Sequence, residues 1–75
     1  MSPLSLPVCS GDDAIRAFIK AGWHRDRQKG SHVTLKKPGS TKVLTVPRHP
    51  QLSKGVLRKL IRDSDLTIDE FGRNL

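Results

Sequence analysis

The segment from Arg27 to Leu35, RQKGSHVTL, places one histidine among several cationic side chains. Histidine has an unperturbed pKa of about 6.5, so it can give or take a proton near neutral pH. RNA carries its own nucleophile, the 2′-hydroxyl. Its cleavage needs a base, an acid for the departing 5′-oxygen and cations for the charge that develops at the phosphate. His32 could serve as the base or the acid, although a lone exposed histidine on a strand is more often inert.

The cations that we expect near His32 come from the segments around it and from a later amphipathic stretch. Each one alone is an ordinary surface residue. As a group they predict a phosphate-binding patch, formed by Arg27, Lys29, Lys36, Lys37, Lys54 and Arg58. Phosphate contacts set affinity and position without reading base sequence, so the pattern predicts no cleavage preference.

The whole chain is small and strongly basic. Its 75 residues are enough for one domain with a thin core. Fourteen Lys and Arg against seven Asp and Glu give a formal charge of +7, which attracts nucleic acid or an acidic protein partner. A single cysteine, Cys9, excludes an internal disulfide and favours a reducing cytoplasm. We find neither a signal-peptide pattern nor an apolar run of about 20 residues, so no membrane association is expected.

Residues 1–9 contain two prolines and no helical period, which predicts an extended N-terminal arm before one domain at residues 10–75. Leu4, Leu6 and Val8 alternate, so one side of the arm is expected to lie on the domain. Ser10 is suited to cap a helix that ends at Gly22. The apolar stripe of this helix is predicted to consist of Ala14, Ile15, Phe18, Ile19 and Ala21.

Three antiparallel strands are predicted next, at about residues 23–28, 31–37 and 41–46, with tight turns at Lys29-Gly30 and Pro38-Gly39. Strand alternation places one set of side chains inward: Val33, Leu35, Leu44 and Val46. It leaves a second set on the open face: His32, Thr34, Lys36, Val43 and Thr45.

Two helix starts follow the strands. Ser53 is predicted to cap a helix with an apolar stripe at Val56, Leu57, Leu60 and Ile61. Thr67 and Glu70 form a capping-box pattern for a short third helix. The order predicts an α+β fold, α-β-β-β-α with a possible C-terminal helix, in which the helices cover one face of the sheet.

Several motifs in order resemble one known family. They are LPVCSG before the first helix, AGW at its end, Gly-Ser-His at residues 30–32, Val-Pro-Arg-His at 46–49 and Ser-Lys-Gly-Val-Leu-Arg at 53–58. Together they are similar to the HicA (YcfA-like) toxin ribonucleases, from about Leu6 to the end of the chain. The resemblance implies a double-stranded-RNA-binding-like fold. It also implies endonucleolytic cleavage of mRNA without a metal or other cofactor, and neutralisation by a HicB-type antitoxin.

The resemblance also assigns positions within the motifs. The catalytic histidine of the family falls on His32, and Gly30 and Ser31 form the turn that supports it. Trp23 stands where a Phe or Tyr is more usual, and His24 has no recognised counterpart. The second acid or base is not identified by the motifs; Lys36, His49 and water are the candidates.

Other interpretations stay open on the sequence alone. The same topology occurs in modules that bind double-stranded RNA without cleaving it, and a basic face could instead dock an acidic protein. We expect His24 and His49 to be surface residues. Trp23 is expected to pack in the core, although it could stack on a base. A zinc site is the least favoured alternative, because the spacings match no metal motif for Cys9, His24, His32 and His49.

Overall fold

The computed structural model describes residues 5–75, which form three helices and one three-stranded sheet. In chain order the elements are α1 (Gly11–Lys20), β1 (His24–Lys29), β2 (His32–Lys36), β3 (Leu44–Pro47), α2 (Lys54–Asp63) and α3 (Ile68–Asn74). The sheet is antiparallel throughout, with β2 between β1 and β3. The predicted α+β order is therefore confirmed, including the C-terminal helix, while the likeness to double-stranded-RNA-binding domains stays a prediction.

Side chains cap all three helices at the predicted residues. Ser10 Oγ accepts from the N–H of Asp13 at 3.0 Å, and the Asp13 carboxylate accepts from the N–H of Ser10 at 3.3 Å. Thr67 and Glu70 form the same reciprocal pair, at 3.0 and 2.9 Å. Ser53 accepts from the third residue of α2 at 3.3 Å. These bonds satisfy helix N–H groups that have no partner inside the helix.

The core lies on one side of the sheet. The predicted inward residues of β2 and β3 are fully buried: Val33, Leu35, Leu44 and Val46. Every residue of β1, in contrast, is exposed. The prediction that Ile19 and Val56 belong to the buried helical stripes is wrong, because Ile19 is 42% and Val56 is 38% exposed. Ile19 lies about 100° around the helix from the buried Phe18, at the margin of the inward face.

Aromatic side chains fill the centre of this core. Trp23 is 1% exposed, which confirms that it packs inside and leaves no ring face for a base. The rings of Phe18 and Phe71 lie 5.0 Å apart between centroids and hold α3 against α1. Trp23 Nε1 has no hydrogen-bond partner among the residues that the structure describes.

The described part of the arm, residues 5–9, contacts the core through some of its side chains. Leu6 packs partly against it and Cys9 is buried, whereas Val8 is 75% exposed. The predicted alternation therefore fails at Val8, and its first member, Leu4, lies outside the described residues. The division into an arm at 1–9 and a domain at 10–75 stays a prediction. Within residues 5–75, no helix has the length and apolar character needed to cross a membrane.

The strands differ from the prediction at their ends. Lys29 pairs with His32, so the two loop residues are Gly30 and Ser31 rather than Lys29 and Gly30. Gly30 has a φ of +59°, which fits the first loop position of a type II′ hairpin. The third strand begins at Leu44 and ends at Pro47 instead of spanning 41–46. Proline is tolerated there because β3 is an edge strand.

Candidate active site

His32 is the first residue of β2, directly after the Gly30-Ser31 turn. It is exposed on the open face of the sheet. Because β2 is the central strand, His32 has neighbours on both sides, Lys29 on β1 and Pro47 on β3. The imidazole is thus available to a ligand that lies across the open face.

An open depression of about 630 Å³ surrounds His32. Its lining consists of Arg27, Lys29, Gly30, Ser31, His32, Thr34 and Thr45. Arg27 is the strand partner of Thr34, and Thr34 is in turn the partner of Thr45. Directly opposed residues of antiparallel strands share a face. The depression therefore combines an imidazole, two cations and three hydroxyl-bearing residues.

A β-bulge at Asp26 changes the face of the sheet on which the side chains of β1 lie. The register shifts between Arg25 and Arg27, so Arg25 opposes the buried Leu35 and His24 opposes Lys36. The bulge turns Arg25 toward the helices and leaves Arg27 on the open face. Sequence alternation alone gives no sign of this shift.

The turn before His32 is held from two directions. Gln28 Nε2 donates to the carbonyl of Gly30 at 3.0 Å, and the N–H of Arg48 donates to the carbonyl of Ser31 at 2.7 Å. Within the described chain, no atom lies within 4 Å of the position that a Cβ on Gly30 would take. Glycine is required there by the positive φ and not by lack of space.

Arg48 also reaches the start of α1. Its Nε donates to Asp12 Oδ1 at 2.8 Å, and its Nη2 donates to Asp12 Oδ2 at 3.2 Å. These hydrogen bonds hold the pKa of Asp12 below its ordinary value, and the charge of Arg25 adds to the effect. The same bonds raise the pKa of Arg48. No short-range sequence pattern predicts this pair, because 36 residues separate the two side chains.

The six predicted phosphate-binding cations are not all close to His32. Lys36 is on the same face but four residues away, about 13 Å along the strand, and pairs with Asp26 at 3.6 Å. Lys37 turns away, with its Cε 3.5 Å from where a Cβ on Gly22 would lie. Lys54 and Arg58 are exposed on α2, outside the lining. Of the six, the structure brings Arg27 and Lys29 to the depression.

The remaining metal-binding or nucleophilic candidates lie apart. His24 is exposed at the opposite end of β1, and His49 is exposed in the loop after β3. Burial raises the pKa of the Cys9 thiol, and the charge of Asp13 raises it further, which disfavours a reactive thiolate. Across residues 5–75, no three His, Cys, Asp or Glu side chains are grouped to hold a metal ion. The zinc alternative therefore has no support in the described chain.

A family profile described as the HicA toxin of bacterial toxin–antitoxin systems matches residues 11–66 of the 75. The chain belongs to the HicA toxin family. A search of curated proteins found no match. The matched region of this HicA chain runs from the first residue of α1 to the connection before α3, so it contains the whole sheet and His32. Membership supports a role as a toxin and implies an antitoxin partner.

Proposed function

We propose that this HicA protein is an endoribonuclease that cleaves mRNA in the cytoplasm, and so inhibits translation, without a metal or other cofactor. One observation carries the proposal. His32 is exposed on the central strand, within a depression that also contains Arg27 and Lys29. Binding to RNA needs only cations, whereas an imidazole beside two cations on a hydroxyl-lined surface suits proton transfer at a phosphate.

The reaction follows from the chemistry of the RNA chain. His32 acts as one proton-transfer group, accepting the proton of the 2′-hydroxyl or donating one to the 5′-oxygen. The 2′-oxygen forms a bond to phosphorus while the bond from phosphorus to the 5′-oxygen breaks, giving a 2′,3′-cyclic phosphate and a 5′-hydroxyl. Arg27 and Lys29 stabilise the negative charge that grows on the non-bridging oxygens.

The second proton-transfer group has fewer candidates in this geometry. Lys36 lies about 13 Å along the strand from His32 and is engaged by Asp26. This separation of the two backbone positions makes Lys36 a less direct partner for His32 at one phosphodiester. His49, two residues after the strand partner of His32, and water are the candidates that we retain.

The test is an mRNA cleavage assay in EDTA with three proteins: wild type, His32→Ala and His24→Ala. His24 is a matched control, because it is also an exposed histidine on the open face but at the far end. We expect His32→Ala to lose about 100-fold or more of the rate, the usual contribution of a general acid or base. His24→Ala should keep the wild-type rate.

Equal cleavage by wild type and His32→Ala, or loss of wild-type cleavage in EDTA, would overturn the proposal. Salt-sensitive RNA binding without any product would instead identify a non-catalytic binding module. We further propose that the partner is a HicB-type antitoxin that covers His32 and its cations. Addition of the antitoxin to the same assay should abolish cleavage.

A further inference from the structure

The Arg48 side chain and backbone join the turn before His32 to the start of α1. The backbone N–H of Arg48 binds the carbonyl of Ser31 at 2.7 Å, and its guanidinium binds both oxygens of Asp12. A two-point bond between a guanidinium and a carboxylate fixes orientation as well as distance. The contacts of its backbone N–H and of its guanidinium therefore together fix the orientation of Arg48.

The bond to Ser31 continues the β2–β3 ladder past His32. The bonds of an antiparallel ladder alternate, so His32 and Pro47 form a non-hydrogen-bonded pair and the next pair, Ser31 and Arg48, is the bonded one. The next donor along β3 toward the turn is the N–H of Arg48, and its acceptor belongs to the residue directly before His32. The position of residue 48 therefore helps to fix the backbone directly before His32.

The first turn of α1 contacts the end of β3 and the residues directly after it. The N–H of Gly11 donates to the carbonyl of His49 at 2.9 Å. A Cβ on Gly11 would lie 2.0 Å from the carbonyl oxygen of Pro47, so the two backbones are in direct contact. Asp12 follows Gly11, and its carboxylate closes the contact by holding the Arg48 guanidinium.

We propose that Arg48 and Asp12 are positioning residues, which together hold the segment after β3 so that the His32 imidazole stays over the depression. This inference rests on the proposed function of His32. The Arg48 and Asp12 side chains are 43% and 46% exposed, so the pair contributes little to global stability. Arg48 is also not part of the lining around His32, and its charge is met by Asp12. Its role is thus geometric and not that of a phosphate contact.

The kinetic test compares Arg48→Ala, Asp12→Ala and the double variant with wild type. Each single variant breaks the same pair, so we expect each to lower kcat between about 10- and 100-fold with KM within about twofold. The double variant should lose no more than either single one. Lys59→Ala is the matched control, because it breaks an exposed ion pair of 3.0 Å to Asp63 on α2 and should leave kcat unchanged.

A second readout does not depend on activity. In NMR spectra, the ring signals of His32 should shift in both single variants, while those of His24 stay in place as an internal reference. If His32 shifts but the wild-type protein cleaves no RNA, the proposed nuclease function fails and the structural coupling stands. If wild type cleaves and neither kcat nor the His32 signals change, the positioning role is overturned. A rise in KM for Arg48→Ala alone would overturn it too, by making Arg48 a phosphate contact.

Discussion

At the scale of single residues, the open face presents hydroxyl groups beside the imidazole. Thr34 and Thr45 are strand partners, and both line the depression around His32. Threonine is common in strands for its β-branched shape alone, so its presence there needs no functional reason. Its hydroxyl, however, can both donate to a phosphate oxygen and accept from a ribose hydroxyl.

Replacing Thr45 by Val tests this hydroxyl, since the variant keeps the branched shape. A typical hydrogen bond contributes about 0.5–1.5 kcal/mol, so we expect KM for RNA to rise about two- to tenfold with stability unchanged. Steady-state cleavage kinetics measure the effect. Thr41→Val is the control, because Thr41 is exposed in the connection before β3. An unchanged KM in Thr45→Val would show that the hydroxyl makes no contact with substrate.

At the scale of elements, local chemistry fixes where the helices start. Ser10, Ser53 and Thr67 cap their helices as the sequence predicts, because capping needs only residues three positions apart. Strand alternation likewise predicts which side of β2 and β3 is buried. Both signals depend on neighbours in sequence. The placement of His32 on the open face is predictable for the same reason.

The features that the sequence does not predict arise where segments distant in the chain meet. The bulge at Asp26 and the Arg48–Asp12 pair depend on contacts that no short-range pattern encodes. Of the six cations of the predicted patch, Arg27 and Lys29 line the depression, since nearness in sequence to His32 does not imply nearness in space. Lys37 shows this, because it is five residues from His32 but lies on the inward parity and covers Gly22. The kinds of side chain around His32 could therefore be predicted from the sequence, but not which individual residues line the depression.

The contact between α1 and β3 gives the element-scale prediction. Gly11→Ala forces a Cβ toward the Pro47 carbonyl, with 2.0 Å between them if nothing moves. Overpacking of this kind typically costs about 1–3 kcal/mol of unfolding free energy. Gly55→Ala in α2 is the control: no described atom lies within 4 Å of its added Cβ, so helix propensity should stabilise it by up to about 1 kcal/mol.

Urea unfolding followed by the fluorescence of Trp23, the single tryptophan and a buried one, measures both variants. A Gly11→Ala protein as stable as wild type would show that α1 can move away from β3 at no cost. In that event the activity of the same variant becomes informative. If the stable variant also had a lowered kcat, the position of α1 would affect catalysis by His32 without affecting stability.

At the scale of the whole molecule, the proposed function requires charge to govern the encounter with RNA. The net charge of +7 attracts any polyanion, but the cations differ in how they are used within the fold. Arg27 and Lys29, both on β1, lie beside His32, and neither forms an ion pair within residues 5–75. Lys36 is partly neutralised by Asp26, and Lys37 extends over Gly22. Net charge alone therefore overstates the cationic surface that is available to a phosphate chain.

Salt dependence of binding separates these cations in a protein that cannot cleave. In the His32→Ala background, the dissociation constant of single-stranded RNA should be measured over a range of salt concentrations. Each lost phosphate contact reduces the slope of log K against log salt by about 0.7 for single strands. We expect this reduction for Arg27→Ala and for Lys29→Ala. Lys37→Ala removes the same unit of charge away from the depression, so its slope should equal that of the parent. Equal reductions in all three variants would mean that RNA senses the total charge of the domain and not the face that displays His32.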